Sequence, residues 1–393
     1  MTERNSDFAK LETHYLFPEI NRRKQEFLKA NPEASIISLG IGDTTEPITA
    51  TVVKAMAEAA IRLGTLQGYS GYGPDQGNEE LRQRLAERMY RGLISADDIF
   101  ISDGAKCDIG RWQMLFGKAS VAIQDPVYPV YIDGSRMQGV HEFVLLSCLP
   151  ENNFWPDFKK AKRSDIIYWC SPNNPTGAAT TKEQLSELVN FARKNQSILV
   201  FDSAYAHYIQ DANIPQSIFE IEGAEEVAIE IGSFSKLAGF SGIRLGWSVV
   251  SNRLKYADGS SVKADWKRLT STIFNGASNI AQAGGIAVLT AQGMMETERL
   301  IQFYLENTKL LKESLQALGY QVFGGTNAPY LWVKFPGWNS WDAFQEILEK
   351  VQLITSPGVG FGPGGEGFLR LSAFGHREAI LTAITRFQTQ LTT

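Results

Sequence analysis

The stretch "VAIEIGSFSKLAGFSGIRLGW", residues 227–247, decides the fold and holds the first candidate for chemistry. Its apolar first part is typical of a strand buried on both faces, as in a parallel sheet. The run ends at Ser233, and Lys236 follows among residues too small to shield it. Most lysines are solvated surface residues. A lysine at a strand end, between Ser233 and Arg244, instead predicts a ligand site.

Four other apolar runs have the same design: each ends in Gly, Pro, Asn, Asp or Ser and gives way to a helical pattern. They are "DIFISDGAK" (98–106), "SVAIQDPVYP" (120–129), "DIIYWCSPNNPTG" (165–177) and "SILVFDSAY" (197–205). The alternation predicts an α/β fold with a large domain built on a mostly parallel mixed sheet. A helix is predicted at 180–195, after the third of these runs. Thr180 and Glu183 match a capping box at its start, and Leu185, Leu188, Val189 and Ala192 share one face.

The chain is long enough for more than one core, since its 393 residues exceed the roughly 250–300 at which one core stops growing. From about residue 286 the pattern changes to a long helix, two strand-like segments and a closing helix, which predicts a smaller α+β domain. The predicted division is an N-terminal arm at 1–49 that packs with the small domain, a large cofactor-binding domain at 50–285 and a small domain at 286–393.

Charge and cysteine usage narrow the class of protein. The formal net charge is -5 with no basic block, which argues against nucleic acid or an anionic membrane as partner. The three cysteines and four histidines show no metal-ligand or disulfide-framework spacing, so no metal is predicted. The start lacks the apolar core of a signal peptide, and no apolar run approaches the ~18 residues of a membrane span. These features predict a cytoplasmic protein that acts on small molecules.

Polar residues at the strand ends suggest one particular ligand, because ligands of open α/β sheets bind beyond the carboxyl ends of the strands. The amides of Ala105 and Lys106 open a helix and are suited to a phosphate. Further candidates follow the other runs: Tyr128 with an aromatic face, Asn174, Asp202 and, three residues later, Tyr205. A planar, phosphorylated, nitrogen-containing ring would use all of these groups.

Lys236 then has a chemical reason for its place. A lysine whose pKa is depressed is a nucleophile toward an aldehyde, and an acid facing a pyridine nitrogen makes that ring an electron sink. Ser233 and Arg244 are natural phosphate ligands. The sequence therefore predicts that Lys236 forms a Schiff base with pyridoxal 5'-phosphate.

The segments "SPNNPTG", "FDSAY" and "SFSKLAGFSGIRLGW" resemble, in order and separation, the signature of the class I/II, fold-type I aminotransferases, over nearly the whole chain. More specifically, "GIGDTTEP", "GYGPDQG", "ISDGAKCD", "FNGAS" and "APYLWVK" resemble the LL-diaminopimelate aminotransferases. The resemblance implies a pyridoxal-phosphate-dependent homodimer with shared active sites. It would interconvert tetrahydrodipicolinate plus L-glutamate and LL-2,6-diaminopimelate plus 2-oxoglutarate by a ping-pong mechanism, in lysine and peptidoglycan precursor biosynthesis.

The resemblance also assigns roles by position. For the cofactor it implies Lys236 as the Schiff-base lysine, Asp202 at the pyridine nitrogen, Tyr128 stacked on the ring, Asn174 and Tyr205 at the phenolic oxygen, and Ser233, Arg244, Ala105, Lys106 and the other subunit's Tyr72 at the phosphate. Lys236, Asp202 and Tyr205 would be the catalytic residues. For the substrate it implies Tyr15, Gly42, Tyr72, Asp75, Lys106, Asn174, Asn275 and Arg370.

Within the substrate set, Arg370 would bind the α-carboxylate in a bidentate way. Asp75 and Asn275 of the other subunit, with Tyr15 and the Lys106 side chain, would bind the distal amine and carboxylate. The family more commonly has a glutamate where this chain has Asp75, which shortens the reach by one methylene.

Three other classes remain open from the sequence. The first is another class I aminotransferase, acting on aspartate or an aromatic amino acid. The second is a nicotinamide-dependent oxidoreductase, suggested by the GxGxxG pattern at Gly360, Gly362 and Gly365, although this pattern precedes a strand instead of opening a helix. The third is a ligand sensor that has kept the fold without catalysis.

Overall fold

The computed structural model describes residues 1–11 and 16–391 of the chain. In chain order its strands are β1 (Ile37–Ser38), β2 (Ile99–Ser102), β3 (Val121–Asp125), β4 (Phe143–Ser147), β5 (Ile166–Cys170), β6 (Ile198–Asp202), β7 (Ala228–Ser233), β8 (Gly246–Val250), β9 (Gln321–Gly324), β10 (Tyr330–Lys334), β11 (Leu353–Ile354), β12 (Ser356–Pro357) and β13 (Phe368–Ser372).

The α-helices are α1 (Leu16–Ala30), α2 (Ala50–Arg62), α3 (Glu79–Arg88), α4 (Ala105–Phe116), α5 (Val130–Met137), α6 (Lys182–Asn195), α7 (Phe234–Leu237), α8 (Val262–Ile273), α9 (Asn279–Val288), α10 (Ala291–Ala317), α11 (Ser340–Glu346) and α12 (Arg377–Gln390). A π-helical turn, Ile347–Val351, continues α11. No helix in the described ranges is both long enough and apolar enough to cross a membrane.

The large sheet has the strand order β2-β8-β7-β6-β5-β3-β4. Strand β8 is antiparallel to both of its neighbours, and the pairs from β7 to β4 are parallel. The predicted mostly parallel mixed sheet is confirmed. Because the parallel strands share a direction, β5, β6 and β7 bring their carboxyl ends to the same edge of the sheet.

Apolar side chains cover both faces of this sheet. Along β6, Leu199 and Phe201 enter one core, and Ile198 and Val200 enter the core on the opposite face, as the two-residue period of a strand requires. The second core includes a close stack of Trp112 on Trp266, which joins α4 to α8 with ring centroids 3.8 Å apart. A strand buried on both faces leaves its polar end residues as the part that meets a ligand.

A smaller antiparallel sheet, in the order β12-β13-β10-β9, packs with helices from the last third of the chain. The N-terminal part joins it, because Leu16 and Ile20 enter this core and β1 pairs in parallel with β11. Helix α10 contacts one core of the large sheet through Ile301 and the core of the small sheet through Leu311. The residue limits 49/50 and 285/286 stay a prediction.

One local expectation changed. The N-cap of helix α6 is one residue later than predicted, with Thr181 and Gln184 forming the capping box. Thr180 is buried and accepts a hydrogen bond from Trp169 Nε1 at 3.0 Å. The glycine-rich segment 358–367 forms two 3-10 turns ahead of β13 and opens no helix, unlike a dinucleotide-binding loop.

Candidate active site

A cavity of about 360 Å³ lies where the carboxyl ends of β5, β6 and β7 meet the small sheet. Most of the predicted site residues line it, although they are widely spaced in the sequence. They are Gly42, Ala105, Lys106, Tyr128, Asn174, Asp202, Tyr205, Ser233, Lys236, Arg244 and Arg370.

Lys236 lies on the single turn α7, directly after β7. Its Nζ donates to the carbonyl oxygen of Gly42 and lies 3.4 Å from Ser241 Oγ. Burial, helped by Arg370 and Arg244 and opposed by Asp43, lowers the pKa of Lys236 to about 8. A substantial fraction of the amine is therefore neutral near neutral to mildly alkaline pH, which a nucleophile or general base requires.

Asp202, the last residue of β6, is the buried acid of the cavity. Burial raises its pKa, while hydrogen bonds from the Tyr131 hydroxyl at 2.7 Å and the Ala204 amide at 3.0 Å lower it. These two donors fix the carboxylate's orientation. An acid held in this way is suited to accept a hydrogen bond from a cationic ring nitrogen.

Aromatic residues form one wall of the cavity. Tyr128 precedes α5, and the Lys106 ammonium lies 5.7 Å from the centroid of its ring. Tyr131, one helical turn later, is perpendicular to Tyr128 and stacks on Tyr168. Tyr128, which offers an aromatic face to the cavity, therefore contacts Tyr131, the residue that orients Asp202.

Another part of the cavity is suited to bind an anion. Helix α4 begins at Ala105, so its first amides point outward and carry the positive end of the helix dipole. Ser233 and Arg244 lie beside them. A side chain at Gly104 would place its Cβ 2.5 Å from a terminal nitrogen of Arg244, and one at Gly246 would lie 3.0 Å from the Ala105 amide nitrogen. Glycine at both positions lets the guanidinium and the helix start approach each other.

Arg370 is a buried cation, with 1% of its surface exposed. Its Nη1 donates to Asn174 Oδ1 at 2.7 Å, and its Nη2 to the Gly40 carbonyl at 2.6 Å and Ser356 Oγ at 3.3 Å. All three acceptors are neutral, and Nε has no hydrogen-bond partner among the described residues. A buried guanidinium with a donor to spare is expected to bind a carboxylate that enters the cavity.

Two phenols meet in the cavity beside Arg370. The hydroxyl groups of Tyr205 and Tyr330 are 2.7 Å apart, and both side chains are buried. Burial raises the pKa of each, so both stay protonated at neutral pH. The pair offers one proton that is not used within the pair and can point into the cavity.

Three of the predicted substrate or cofactor residues that the structure describes lie away from the cavity. Tyr15 falls outside the described residues. Tyr72, Asp75 and Asn275 do not line the cavity. Tyr72 is 87% exposed and borders a different groove, between α2, the segment 67–74 and α9. Among the described residues of one chain, the cavity includes Lys106 from the set predicted for the distal end of a substrate, and neither Asp75 nor Asn275.

The structure also adds cavity residues that the sequence did not predict, chiefly Tyr131 and Tyr330. A weak signal existed for Tyr131, which lies three residues after Tyr128 at helical spacing. Tyr330 begins β10 and faces the cavity because of its register with β13, a pairing that no local pattern specifies.

Comparisons with known proteins identify the family of the chain. The family described as "Aminotransferase class I and II" matches residues 34–387. The chain is 52% identical to the LL-diaminopimelate aminotransferase of Protochlamydia amoebophila, with 99% of this chain and 97% of that protein covered. It is 55% identical to the chloroplastic LL-diaminopimelate aminotransferase of Arabidopsis thaliana, with 98% and 86% covered. The solved structure of the L,L-diaminopimelate aminotransferase from Chlamydomonas reinhardtii matches with a TM-score of 0.95 and 56% identity, covering 98% of each chain.

Proposed function

Because the chain belongs to the class I and II aminotransferases, we propose that it catalyses the LL-diaminopimelate aminotransferase reaction. An amino group would pass from L-glutamate to tetrahydrodipicolinate, giving 2-oxoglutarate and LL-2,6-diaminopimelate, or the reverse. Three relatives with that name, 52 to 56% identical over nearly the whole chain, support this choice of substrate. The reaction would serve lysine and peptidoglycan precursor biosynthesis.

The cavity residues fit pyridoxal 5'-phosphate as the cofactor. The fit rests on four groups at separate places in one cavity: an amine with a lowered pKa, a buried acid, an aromatic wall and an anion-binding helix start. Lys236 would bind the aldehyde, Asp202 the pyridine nitrogen and Tyr128 the ring face, with Asn174 and Tyr205 at the phenolic oxygen. Ser233, Arg244 and the amides of Ala105 and Lys106 would hold the phosphate.

When bound, pyridoxal phosphate supplies an electron sink for the charge left on the substrate α-carbon. Lys236 would remove the α-proton as general base, which its lowered pKa favours. Asp202 would keep a proton on the pyridine nitrogen, and Arg370 would hold the α-carboxylate so that the bond to be broken is correctly oriented. The two substrates would use the same site in turn.

The observation that carries this mechanism is the position of Arg370, a buried cation with no carboxylate partner in the described structure, in the same cavity as Lys236 and Asp202. A structural ion-pair arginine would have its own carboxylate, since an unpaired buried charge is costly. An α-carboxylate common to both substrates explains why this guanidinium is left with neutral partners.

We further propose a homodimer in which the partner subunit completes each site. The partner subunit's Tyr72 would contact the phosphate, and the partner subunit's Asp75 and Asn275, with Tyr15, Gly42 and Lys106, would bind the rest of the substrate. Exposure of Tyr72 in the single chain supports this arrangement. A cytoplasmic location and the division into an arm (1–49), a large domain (50–285) and a small domain (286–393) belong to the same proposal.

The first test is the visible absorption spectrum of the purified protein with cofactor during addition of LL-diaminopimelate alone. Glutamate, meso-diaminopimelate, aspartate and an aromatic amino acid are parallel additions. LL-diaminopimelate and glutamate should convert the aldehyde-form band to the aminated-form band, because both present an α-carboxylate to Arg370 and a distal group to the partner subunit's residues.

Two outcomes would contradict the proposal in different ways. Conversion only by aspartate or aromatic amino acids would reject the substrate and keep the aminotransferase chemistry. Absence of any pyridoxal band after addition of cofactor would reject the role of Lys236. Lys236→Ala is the matched control, since it should bind cofactor without covalent attachment and show no conversion.

A further inference from the structure

Tyr330 has no role in the proposed mechanism, yet it contacts residues with two different tasks. It is the first residue of β10, it has no exposed surface, and it lines the cavity. A Cβ at Gly42 would lie 2.3 Å from its hydroxyl oxygen, so the segment that carries the acceptor of the Lys236 amine passes directly over the phenol.

The ring of Tyr330 faces Arg370. Strands β10 and β13 pair so that Trp332 is opposite Arg370, and Tyr330 lies two residues away on the same face. The guanidinium carbon is 4.6 Å from the ring centroid, within range of a cation–π contact. Phe361 borders the same guanidinium at 4.9 Å. Tyr330 thus helps hold Arg370 in the plane that presents it to the cavity.

The hydroxyl of Tyr330 faces Tyr205, and one of the two must donate to the other. The Arg370 guanidinium lies against the ring of Tyr330, and a positive charge beside a phenol strengthens its hydroxyl as a hydrogen-bond donor. If Tyr330 donates to the Tyr205 oxygen, the Tyr205 proton is free to point into the cavity. Donors in series also polarise one another.

We propose that Tyr330 is a positioning residue with two separable tasks: its hydroxyl orients Tyr205 toward the cofactor's phenolic oxygen, and its ring supports Arg370 for the substrate carboxylate. The inference rests on the proposed function, since it requires the cofactor and a carboxylate substrate. It adds a residue that links the two ends of the site through one side chain.

Two variants separate the tasks. Tyr330→Phe keeps the ring and removes the hydroxyl, and Tyr330→Leu removes both. The first readout is the pH midpoint of the visible band of the cofactor-loaded protein. A donor to the phenolic oxygen stabilises the form with fewer protons, because that form has more negative charge on this oxygen. Both variants should therefore raise the midpoint, by about 0.5 to 1 pH unit.

The second readout is the Kd of 2-oxoglutarate for the aldehyde form of the enzyme, which cannot convert it. Tyr330→Phe should leave this Kd within about twofold, while Tyr330→Leu should raise it by about tenfold. Other charged or titratable groups at the cavity are Asp43, Lys106, Tyr128, Tyr131, Cys170, Asp202, Tyr205, Lys236, Arg244 and Arg370. Both variants leave all of these in place, so a shift belongs to Tyr330.

An unchanged midpoint in Tyr330→Phe, with a wild-type band that titrates, would overturn the hydroxyl's role while the proposed function stands. Equal changes of Kd in both variants would overturn the ring's role. A wild-type protein without a visible band would reject the proposed function and this inference together. Thermal unfolding of each variant identifies misfolding, and Tyr330→Phe, which adds no bulk, decides the case if Tyr330→Leu does not fold.

Discussion

Glu230 is a buried carboxylate in the middle of β7, within the apolar run that identified the strand. It accepts hydrogen bonds from Ser217 Oγ at 2.6 Å, and from the Tyr90 hydroxyl, Ser203 Oγ and the Ile218 amide at 3.0 Å. Burial raises its pKa from the usual 4.5 to about 7, although the four donors oppose the shift. Its neighbour Ser203 directly follows Asp202, so this network lies behind the active-site turn.

Glu230 makes the stability of the protein depend on pH, with a definite sign. The folded pKa is above the unfolded one, so the folded state holds an extra proton between pH 4.5 and 7, and its stabilisation is lost as pH rises through this window. Glu230→Gln does not titrate. We expect the stability advantage of wild type over Glu230→Gln to shrink by about 3 kcal/mol between pH 4.5 and 8, measured by urea unfolding.

Glu58→Gln, at an exposed position on α2, is the control for this measurement. Its difference from wild type should stay constant over the same range. A wild-type advantage over Glu230→Gln that is constant or grows with pH would contradict the raised pKa of Glu230.

At the scale of elements, five of the seven strands of the large sheet, β2, β3, β5, β6 and β7, were predictable because each is an apolar run closed by turn residues. Strands β4 and β8 were not predicted, and the antiparallel direction of β8 has no local signal, since parallel and antiparallel strands buried on both faces have the same local pattern. The cap of α6 was misplaced by one residue because Thr180 and Thr181 are equivalent in sequence. Only the tertiary contact of Thr180 with Trp169 distinguishes them.

The residues of the candidate site also divide into those that a local sequence pattern predicts and those that depend on tertiary packing. Lys236, Asp202 and Asn174 follow strands directly, so the rule that strand ends meet at one edge brings them together. Arg370 and Tyr330 come from the second sheet, and their place in the cavity depends on how that sheet packs on the first. The resemblance to a family supplied Arg370. Neither the pattern nor the resemblance supplied the role of Tyr330, which follows from the register of β10 with β13.

The start of α4 is the element whose geometry the anion site depends on most. Gly104 has a φ of +116° and packs directly against the Arg244 guanidinium. Gly104→Ala should displace that guanidinium and raise the Kd of pyridoxal phosphate by about tenfold or more, since a charged hydrogen bond is worth about 1.5 to 3 kcal/mol. Titration of the cofactor-free protein measures this constant.

The other end of the same helix offers a matched control. Gly117 also has a positive φ, of +57°, but a Cβ there would meet nothing within 4 Å. Gly117→Ala should carry a similar backbone cost without the collision and leave the Kd of pyridoxal phosphate unchanged. An equal loss of affinity in both variants would mean that backbone strain in α4, and not the position of Arg244, sets the affinity.

At the scale of the whole molecule, several large apolar side chains are exposed along the segment 53–72 and at the end of α8. They include Val53, Ile61, Leu66, Tyr69, Tyr72 and Ile273. Together with the absence of Tyr72, Asp75 and Asn275 from the cavity of the described chain, this surface favours association of two copies. A two-fold interface would complete both sites at once, because each copy would contribute the same residues to the site of the other.

Mixed dimers test this arrangement. A Lys236→Ala chain and a Tyr72→Ala chain should each have little activity alone. In a mixed dimer, one site combines Lys236 of one chain with Tyr72 of the other and is complete, while the second site lacks both. Random pairing of equal amounts makes half of the dimers mixed, so activity should recover to about one quarter of the wild-type value. The measurement is the aminotransferase rate after the two chains are unfolded together and refolded.

The control pairs Lys236→Ala with Arg370→Ala. Both residues line the same cavity of one chain, so every mixed dimer carries one defect in each site and no activity should return. Recovery in this control would mean that Lys236 and Arg370 act from different subunits. No recovery with Tyr72→Ala, when mixed dimers are present by mass, would place Tyr72 in the site of its own chain and remove the reason for a shared active site.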